Sequence, residues 1–329
     1  MKPKASDLVW LAFFIVPYGA WSADKLLGVH SARVMSQSMP WIAEEAGLFR
    51  KYDLDFPLVY IGSSPLATAA MLGGDGELLM DGGLGPVRAF VQGTTELVCI
   101  GGQKNILTQS ILAKPPIKRL EDLRGKKVGV TRIGATTHYF ATQAFRKIGM
   151  EAGRDYTMIQ TGGAPEMLAA LVSGAIDAGT LSSPLDAQAV ALGHQYIVYG
   201  PDLRIPQVAV GFMTRRSTLA KPQVLGRFMR VMAEAAKILH TDKEFTFKVL
   251  GKQLRIDDRK ILETGYNAEI KALEPRLTIR PEAFQAVLDD VAQIDPRAKK
   301  VKPDDLIDRR FLDEMTKSGF FDQLWGEKS

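Results

Sequence analysis

The stretch VGVTRIGATTHYFA, residues 128–141, starts as an apolar β-run, passes through a glycine and two threonines, and continues with apolar residues at helical spacing. The strand ends at Thr131 and the helix starts between Ala135 and His138. The backbone N–H groups of residues 135–138 are then the first-turn donors that a helix cannot satisfy from within. A ligand oxyanion is a fitting acceptor, because the helix dipole favours negative charge at that end and Gly134 lets the backbone come close. The hydroxyls of Thr136 and Thr137 stand beside it. The competing reading is that Thr136 or Thr137 caps its own helix. Arg132 adjoins the loop, where it either forks onto an oxyanion or remains a solvated surface arginine. The order G-V-T-R-I-G is neither the dinucleotide fingerprint nor a phosphate-binding loop.

The same strand-to-helix sequence recurs on both sides of this stretch. Upstream, LLGVHS (26–31), DFPLVYIG (55–62), GELLMDGG (76–83) and ELVCIGG (96–102) read as strands, with helices at PWIAEEAGLFRKY (40–52), SSPLATAAML (63–72) and PVRAFVQG (86–93). Around ILAKPPIKRLEDLRGKKVGV (111–130) the composition shifts to prolines and charge, as at a crossing between lobes. A second series follows: helix 138–149, strand 156–161, helix 165–175, strand 177–182, helix 184–193 and strand 194–200. VAVGFMTRR (208–216) reads as an extended stretch that carries the chain back, and residues 222–325 are helical in pattern, with a break at 278–281.

Alternating strands and helices predict an α/β fold of two lobes, each a mostly parallel sheet flanked by helices. Residues 24–112 and 211–329 form lobe 1, and residues 113–210 form lobe 2. Two chain crossings make a hinge. Open α/β sheets bind ligands beyond the carboxyl ends of their strands, so facing lobes put their loops on opposite walls of one cleft.

Three motifs in order, PWIAEEAGLFRKYDLDFPLVY (40–60), LEDLRGKKVGV (120–130) and LAALVSGAIDAGTLSSP (168–184), resemble the type 2 periplasmic binding proteins of ABC importers. Within them the chain is most similar to the group for nitrate, sulfonates, taurine and the pyrimidine precursor of thiamine. The resemblance covers nearly the whole chain after the leader described below. It implies a Venus-flytrap fold and delivery of a small solute to a membrane permease. One departure is GGDGELLMDGG (73–83), where the family shows a compact G-x-x-D-hydrophobic-G pattern. Fungal relatives that make the pyrimidine carry a cysteine-rich motif; here Cys99 stands alone, which argues against enzyme action of that kind.

Candidate ligand contacts follow from the loops. Ser38 and Met39 precede the first long helix, and Trp41 lies in its first turn, as an apolar wall for a ligand or as core. Gly62, Ser63 and Ser64 follow the second strand. After the third, Gly82 and Gly83 allow close approach, and Asp81 either meets a ligand amine or braces the loop. On the far lobe stand Arg132, Gly134, Ala135, Thr136, Thr137 and His138, then Gly163, then Ser182 and Ser183. The expected guest is a small organic, anionic molecule.

Other functions find little footing. His30, His138, His194 and His240 are isolated, with no H-E-x-x-H and no G-x-S-x-G elbow, so no catalytic residue is assigned. An enzyme on the same fold, forming a pyrimidine precursor or hydrolysing a small molecule, is the alternative. No metal-binding loop or cofactor motif is present. The net charge of +5 is scattered and not gathered into a basic face, which argues against nucleic acid. Residues 1–23 read as a signal peptide: Lys2 and Lys4, an apolar run Leu8–Tyr18, and a small-residue site at Ala20-Trp21-Ser22. The expected protein is therefore exported, periplasmic and monomeric, with a transient ABC permease partner.

Overall fold

The computed structural model describes residues 23–326. The leader expected at residues 1–23 lies, but for Ala23, outside the described residues. Twelve strands are formed: β1 Asp24–Lys25, β2 Gly28–His30, β3 Leu54–Asp55, β4 Leu58–Tyr60, β5 Leu78–Asp81, β6 Leu97–Leu107, β7 Ser110–Ala113, β8 Lys127–Val130, β9 Thr157–Gln160, β10 Ala178–Leu181, β11 Gln195–Val198 and β12 Ile205–Arg215. Helices α1 Met39–Glu45, α2 Leu48–Lys51, α3 Ser64–Gly73, α4 Leu84–Val91, α5 Thr136–Arg146, α6 Ala164–Ser173 and α7 Leu185–Ala191 alternate with them. The C-terminal third is helical: α8 Pro222–Thr241, α9 Lys243–Leu254, α10 Arg259–Glu269, α11 Pro281–Ala292, α12 Arg310–Lys317 and α13 Phe320–Trp325.

Two five-stranded sheets organise the chain, in the orders β4-β2-β5-β12-β6 and β11-β7-β10-β8-β9. In the first, β4, β2 and β5 are parallel and β12 runs antiparallel to both β5 and β6. In the second, β10, β8 and β9 are parallel and β7 runs antiparallel to β10 and β11. Four of the five strands in each sheet thus run the same way, the mostly parallel arrangement expected from sequence, and one strand, β12 or β7, is reversed. The reason is the pair of crossings. Chain that leaves one sheet and returns must run against the βα units it passes, and β7 was hidden in what read as a connecting segment.

The inner parallel strands β5 and β8 are buried on both faces, as covered sheets require: Leu78, Leu79 and Met80 of β5, and Val128 and Val130 of β8, are each at most marginally exposed. The helix expected over 40–52 divides into α1 and α2 at Gly47, whose φ of 70° is a left-handed turn that glycine adopts without strain. Helix α8 covers the first sheet with Leu225, Phe228, Met229, Met232, Ala236 and Leu239, a stripe at three- and four-residue spacing. Phe228 packs on Phe56 and Phe212 with ring centroids 5.1 and 5.8 Å apart. No helix among the described residues is long and apolar enough to cross a membrane.

Strands β6 and β12 pair from Leu97↔Arg215 to Leu107↔Ile205 and carry the chain between the sheets. Lys104 of β6 and Glu269 of α10, each 1% exposed in its side chain, form an ion pair at 2.5 Å. The Thr108 hydroxyl donates to the other carboxylate oxygen, also at 2.5 Å. A buried pair persists only when its remaining polar atoms are met in this way.

Candidate functional site

Between the two sheets, where the parallel strands run out into helices, lies a cavity of about 50 Å³. That is room for roughly four water-sized groups. One wall is Ser31 after β2, Ser63 and Ser64 after β4, and Asp81 and Gly82 after β5. The opposite wall is Thr131 after β8, Ala135, Thr136 and Thr137 at the start of α5, Ala164 at the start of α6, and Thr180 and Ser182 at the end of β10. Ala209 and Val210 of β12 and Gln109 between β6 and β7 line it from the hinge side, and Ala32, Val34, Ser36 and Gln37 complete the rim.

The two walls touch. The Met35 N–H donates to the Ser183 carbonyl at 3.1 Å across the cleft, while the Gly83 N–H ties its own wall to the hinge strand at the Val208 carbonyl, 2.7 Å away. A Cβ on Gly82 would fall 2.5 Å from Thr136 Oγ1. A side chain at position 82 would have to displace the Thr136 hydroxyl, so glycine lets the two walls come close over the cavity.

Three helix starts face the space without a side-chain cap. The N-cap of α5 is Ala135, which has no polar atom; that of α6 is Gly163; and Ser63, the N-cap of α3, makes no capping bond. The Thr137 hydroxyl accepts the Thr131 N–H at 3.0 Å and pairs with the Thr131 hydroxyl at 2.8 Å, which rules it out as a cap in this arrangement. First-turn amides of α5 accordingly stay available, with the positive end of the helix dipole behind them. No lysine, arginine or histidine lines the cavity; its single ionisable side chain is Asp81.

Asp81 is fully buried. Its Oδ1 accepts from the Ser31 hydroxyl (2.7 Å), the Ser64 hydroxyl (2.5 Å) and the Gly82 N–H (2.7 Å). Burial pushes the carboxyl up to about 6, against the downward pull of those donors and of the neighbouring Thr68 hydroxyl. Gln37 holds the Ser31 loop by accepting the Ser31 and Ala32 N–H groups at 3.0 and 2.9 Å, and its Nε2 donates to the Ser31 hydroxyl at 3.0 Å. Ser63 Oγ, Thr180 Oγ1, Gln109 Oε1 and Asp81 Oδ2 are all buried with no hydrogen-bond partner. Four such atoms at one cavity leave acceptors and hydroxyls there for a partner to meet.

Of the residues expected from sequence, Ser63, Ser64, Gly82, Ala135, Thr136, Thr137 and Ser182 line this cavity together. Others stand behind or beside it. Ser183 donates to Asp186 at 3.2 Å, Gly163 begins α6 and Gly62 precedes Ser63, while Gly83 bonds the hinge strand. Ser38 and Met39 are fully buried at the start of α1. Trp41 packs edge-on against His30, centroids 5.6 Å apart, as part of the core behind the wall. His30 is itself pressed down to about 4, chiefly by burial, the Ala32 carbonyl pulling the other way and Arg33 adding to the fall. Gly134 and His138 turn to the outer side, where the Gly134 N–H donates to His138 Nδ1 at 3.3 Å. His138 there shares a separate groove with Arg88 and Ile133, and its pKa is lowered by burial and by Arg88. Arg132 is half-buried outside the lining.

Sequence reasoning did not single out Ser31, Gln37, Gln109 or Thr180. Thr180 carried a usable signal, a lone polar residue inside the apolar strand AGTL; Gln109 carried none, because β7 was not anticipated. Among the described residues no cluster of three or more His, Cys, Asp or Glu side chains can hold a metal.

Comparison with known proteins agrees with this geometry. No curated protein sequence matches the chain. Among solved structures, a protein from Bordetella bronchiseptica RB50 superposes with a TM-score of 0.80 at 19% identity, over 91% of this chain and 98% of that one. The alkanesulfonate-binding protein SsuA from Xanthomonas axonopodis pv. citri, bound to MOPS, gives 0.72 at 18%, over 87% and 98%. The periplasmic nitrate-binding protein NrtA from Synechocystis PCC 6803 gives 0.70 at 16%, over 90% and 89%. At these identities the likeness establishes the fold, the two-lobed α/β architecture of periplasmic binding proteins. The family model described as NMT1/THI5 like matches residues 39–244, well over half of the sequence, and the chain is a member of the NMT1/THI5-like family.

Proposed function

We propose that the chain is an exported solute receptor whose lobes, residues 24–112 with 211–329 and residues 113–210, close over a small organic ligand with an anionic group. Strands β7 and β12 run through the two joins. The observation that carries this reading is the cavity itself: loops of both sheets supply uncapped helix starts and buried hydroxyls without partners. Such a site binds by hydrogen bonding to an acceptor and closes because the closed state alone offers donors from both walls. The sulfonate- and nitrate-binding neighbours support the same ligand chemistry. Periplasmic localisation, action as a monomer and hand-over to an ABC permease complete the proposal.

A thermal-shift screen over sulfonates, nitrate, aromatic acids, pyrimidines and cell extract tests it. A ligand at one hundred times its Kd stabilises the folded state by about 2.7 kcal/mol. A complete absence of shift, extract included, defeats the receptor reading. Recovery of the ligand chemically changed favours the alternative, an enzyme on this fold.

A further inference from the structure

A groove of about 600 Å³ runs along the outer side of the seam between the two sheets, away from the cavity. Arg88 and Val91 of α4, with Val291 and Ile294 at the end of α11, form one side; Ile133 and His138 at the start of α5 form the other. Ile294 is 78% exposed and Ile133 50%, so the groove carries apolar surface that the fold leaves in water. Its uncommitted polar groups are donors. The Arg88 guanidinium is half-buried and, among the described residues, has no hydrogen-bond or ion-pair partner; Asp290 and His138 feel its charge at longer range. Its Nη1 stands 3.0 Å from where a Cβ on Gly134 would lie, against the loop that leads into α5. His138 accepts the Gly134 N–H on Nδ1 at 3.3 Å, so the neutral ring keeps its proton on Nε2, and that N–H donates to nothing in the described chain. The nearby carboxylates are already engaged. Asp295 accepts from Arg297 Nε at 2.9 Å and Nη2 at 2.6 Å, and Asp290 accepts from Gln143 Nε2 at 3.0 Å.

We propose that this groove is a second binding site, for an amphipathic carboxylate whose charged head pairs with Arg88 and His138 and whose apolar chain lies along Val91, Ile133, Val291 and Ile294. A guanidinium fork beside an imidazole N–H matches the two oxygens of a carboxylate. The apolar walls add favourable free energy for each methylene they cover. A bare inorganic anion leaves those walls wet, and a neutral apolar molecule leaves the guanidinium unpaired.

The groove and the cavity between the sheets differ in size and in chemistry. The cavity, about 50 Å³, has no room for a chain as long as that of octanoate, and no arginine or histidine lines it. The groove has the length for such a chain and a cation at one end of it.

Calorimetric titration of the purified full chain with octanoate, butanoate and octanol tests the proposal. The expected result is one octanoate bound per chain, about tenfold or more tighter than butanoate, which covers less of the apolar wall, and than octanol, which brings no charge. Arg88→Gln should weaken octanoate about tenfold and leave octanol unchanged, whereas Ile294→Gln should weaken both about threefold. Absence of saturable octanoate binding overturns the proposal, as does octanol bound as tightly as octanoate. So does octanoate affinity that is unchanged in Arg88→Gln, or unchanged in Ile294→Gln. Ile294 is exposed and outside the core, so its variant and the octanol comparison decide the matter should Arg88→Gln fail to fold. Failure here leaves the receptor reading standing, because that reading is tested at the other cavity by the thermal-shift screen.

Discussion

Helices α5 and α10 are both eleven residues long, and they begin in opposite ways. Asp258 caps α10, accepting the Lys260 N–H at 2.8 Å and the Ile261 N–H at 3.4 Å. Ala135 stands at the same position of α5 and offers its amides nothing. The buried carboxylates repeat the contrast. Both oxygens of Glu269, at the end of α10, share the charge of Lys104 and the hydroxyl of Thr108, whereas Asp81 has only neutral donors, Ser31, Ser64 and the Gly82 N–H. At these two sites the chain treats its polar groups differently, meeting them fully at α10 and leaving the α5 amides open at the cleft. The open helix starts that matter for binding are the three that meet at one cavity, α3, α5 and α6.

The largest effect comes from spoiling the satisfied region. Glu269→Ala strands the Lys104 ammonium in the core and is expected to lower stability by about 3–5 kcal/mol. The double replacement Lys104→Met with Glu269→Leu should restore most of that loss, because packing replaces the pair. Urea unfolding of the three proteins measures both. A single variant within about 1 kcal/mol of wild type would mean that the brace beside the hinge strands is dispensable.

Asp81 should respond in the opposite direction. Its folded pKa of about 6 lies above the ordinary 3.8, so the native state holds the proton more tightly than the unfolded chain. Stability contributed by this group is therefore complete below the unfolded value and is lost as pH rises from about 4 to about 6. The loss is about 3 kcal/mol, from roughly two pH units at 1.36 kcal/mol each. Without ligand, Asp81→Asn should be more stable than wild type near pH 7.5 by up to that amount, and the gain should vanish near pH 4. Denaturation midpoints at the two pH values test it; a variant less stable near pH 7.5 refutes the account of an uncompensated carboxylate.

Adding a cap to the cleft sharpens the contrast at smaller scale. Ala135→Ser gives α5 a side chain that competes with the guest for the same amides. Apo stability should rise by about 0.5–1 kcal/mol while ligand affinity falls. Asp258→Ala should lose about 1 kcal/mol and leave affinity unchanged. Thermal unfolding with and without ligand separates the two, and equal behaviour would erase the distinction between the helices.

Much of this was legible in the sequence because the βα units carry strong periodicity. VGVTRIGATTHYFA reads directly as β8, its loop and α5, and the loop residues Ser63, Ser64, Gly82 and Ala135–Thr137 meet at one cavity. The antiparallel strand β7 was not legible, since SILA is short and runs straight into Lys114-Pro115-Pro116, a connector in appearance. Gln109 was lost with it. Asp81 was noticed as a residue that either meets a ligand amine or braces its loop. The fold shows the bracing role, through the Ser31 and Ser64 hydroxyls. Pairings between residues fifty or more positions apart leave no trace in local pattern.

The smallest effect concerns Arg132, whose guanidinium is the obvious partner for an anion when the sequence is read alone. In the fold its side chain is half-buried outside the cavity, which Thr131 and Ala135 line instead. An arginine that does not touch the ligand acts only through its long-range field, which solvent and salt reduce to at most about 1 kcal/mol. Arg132→Ala should thus weaken an anionic ligand by only about threefold, and added salt should shrink even that difference. Titration at low and high ionic strength reads it. A loss of a hundredfold or more, about 2.7 kcal/mol, would require direct contact and would move the anion site from the α5 amides to the Arg132 fork.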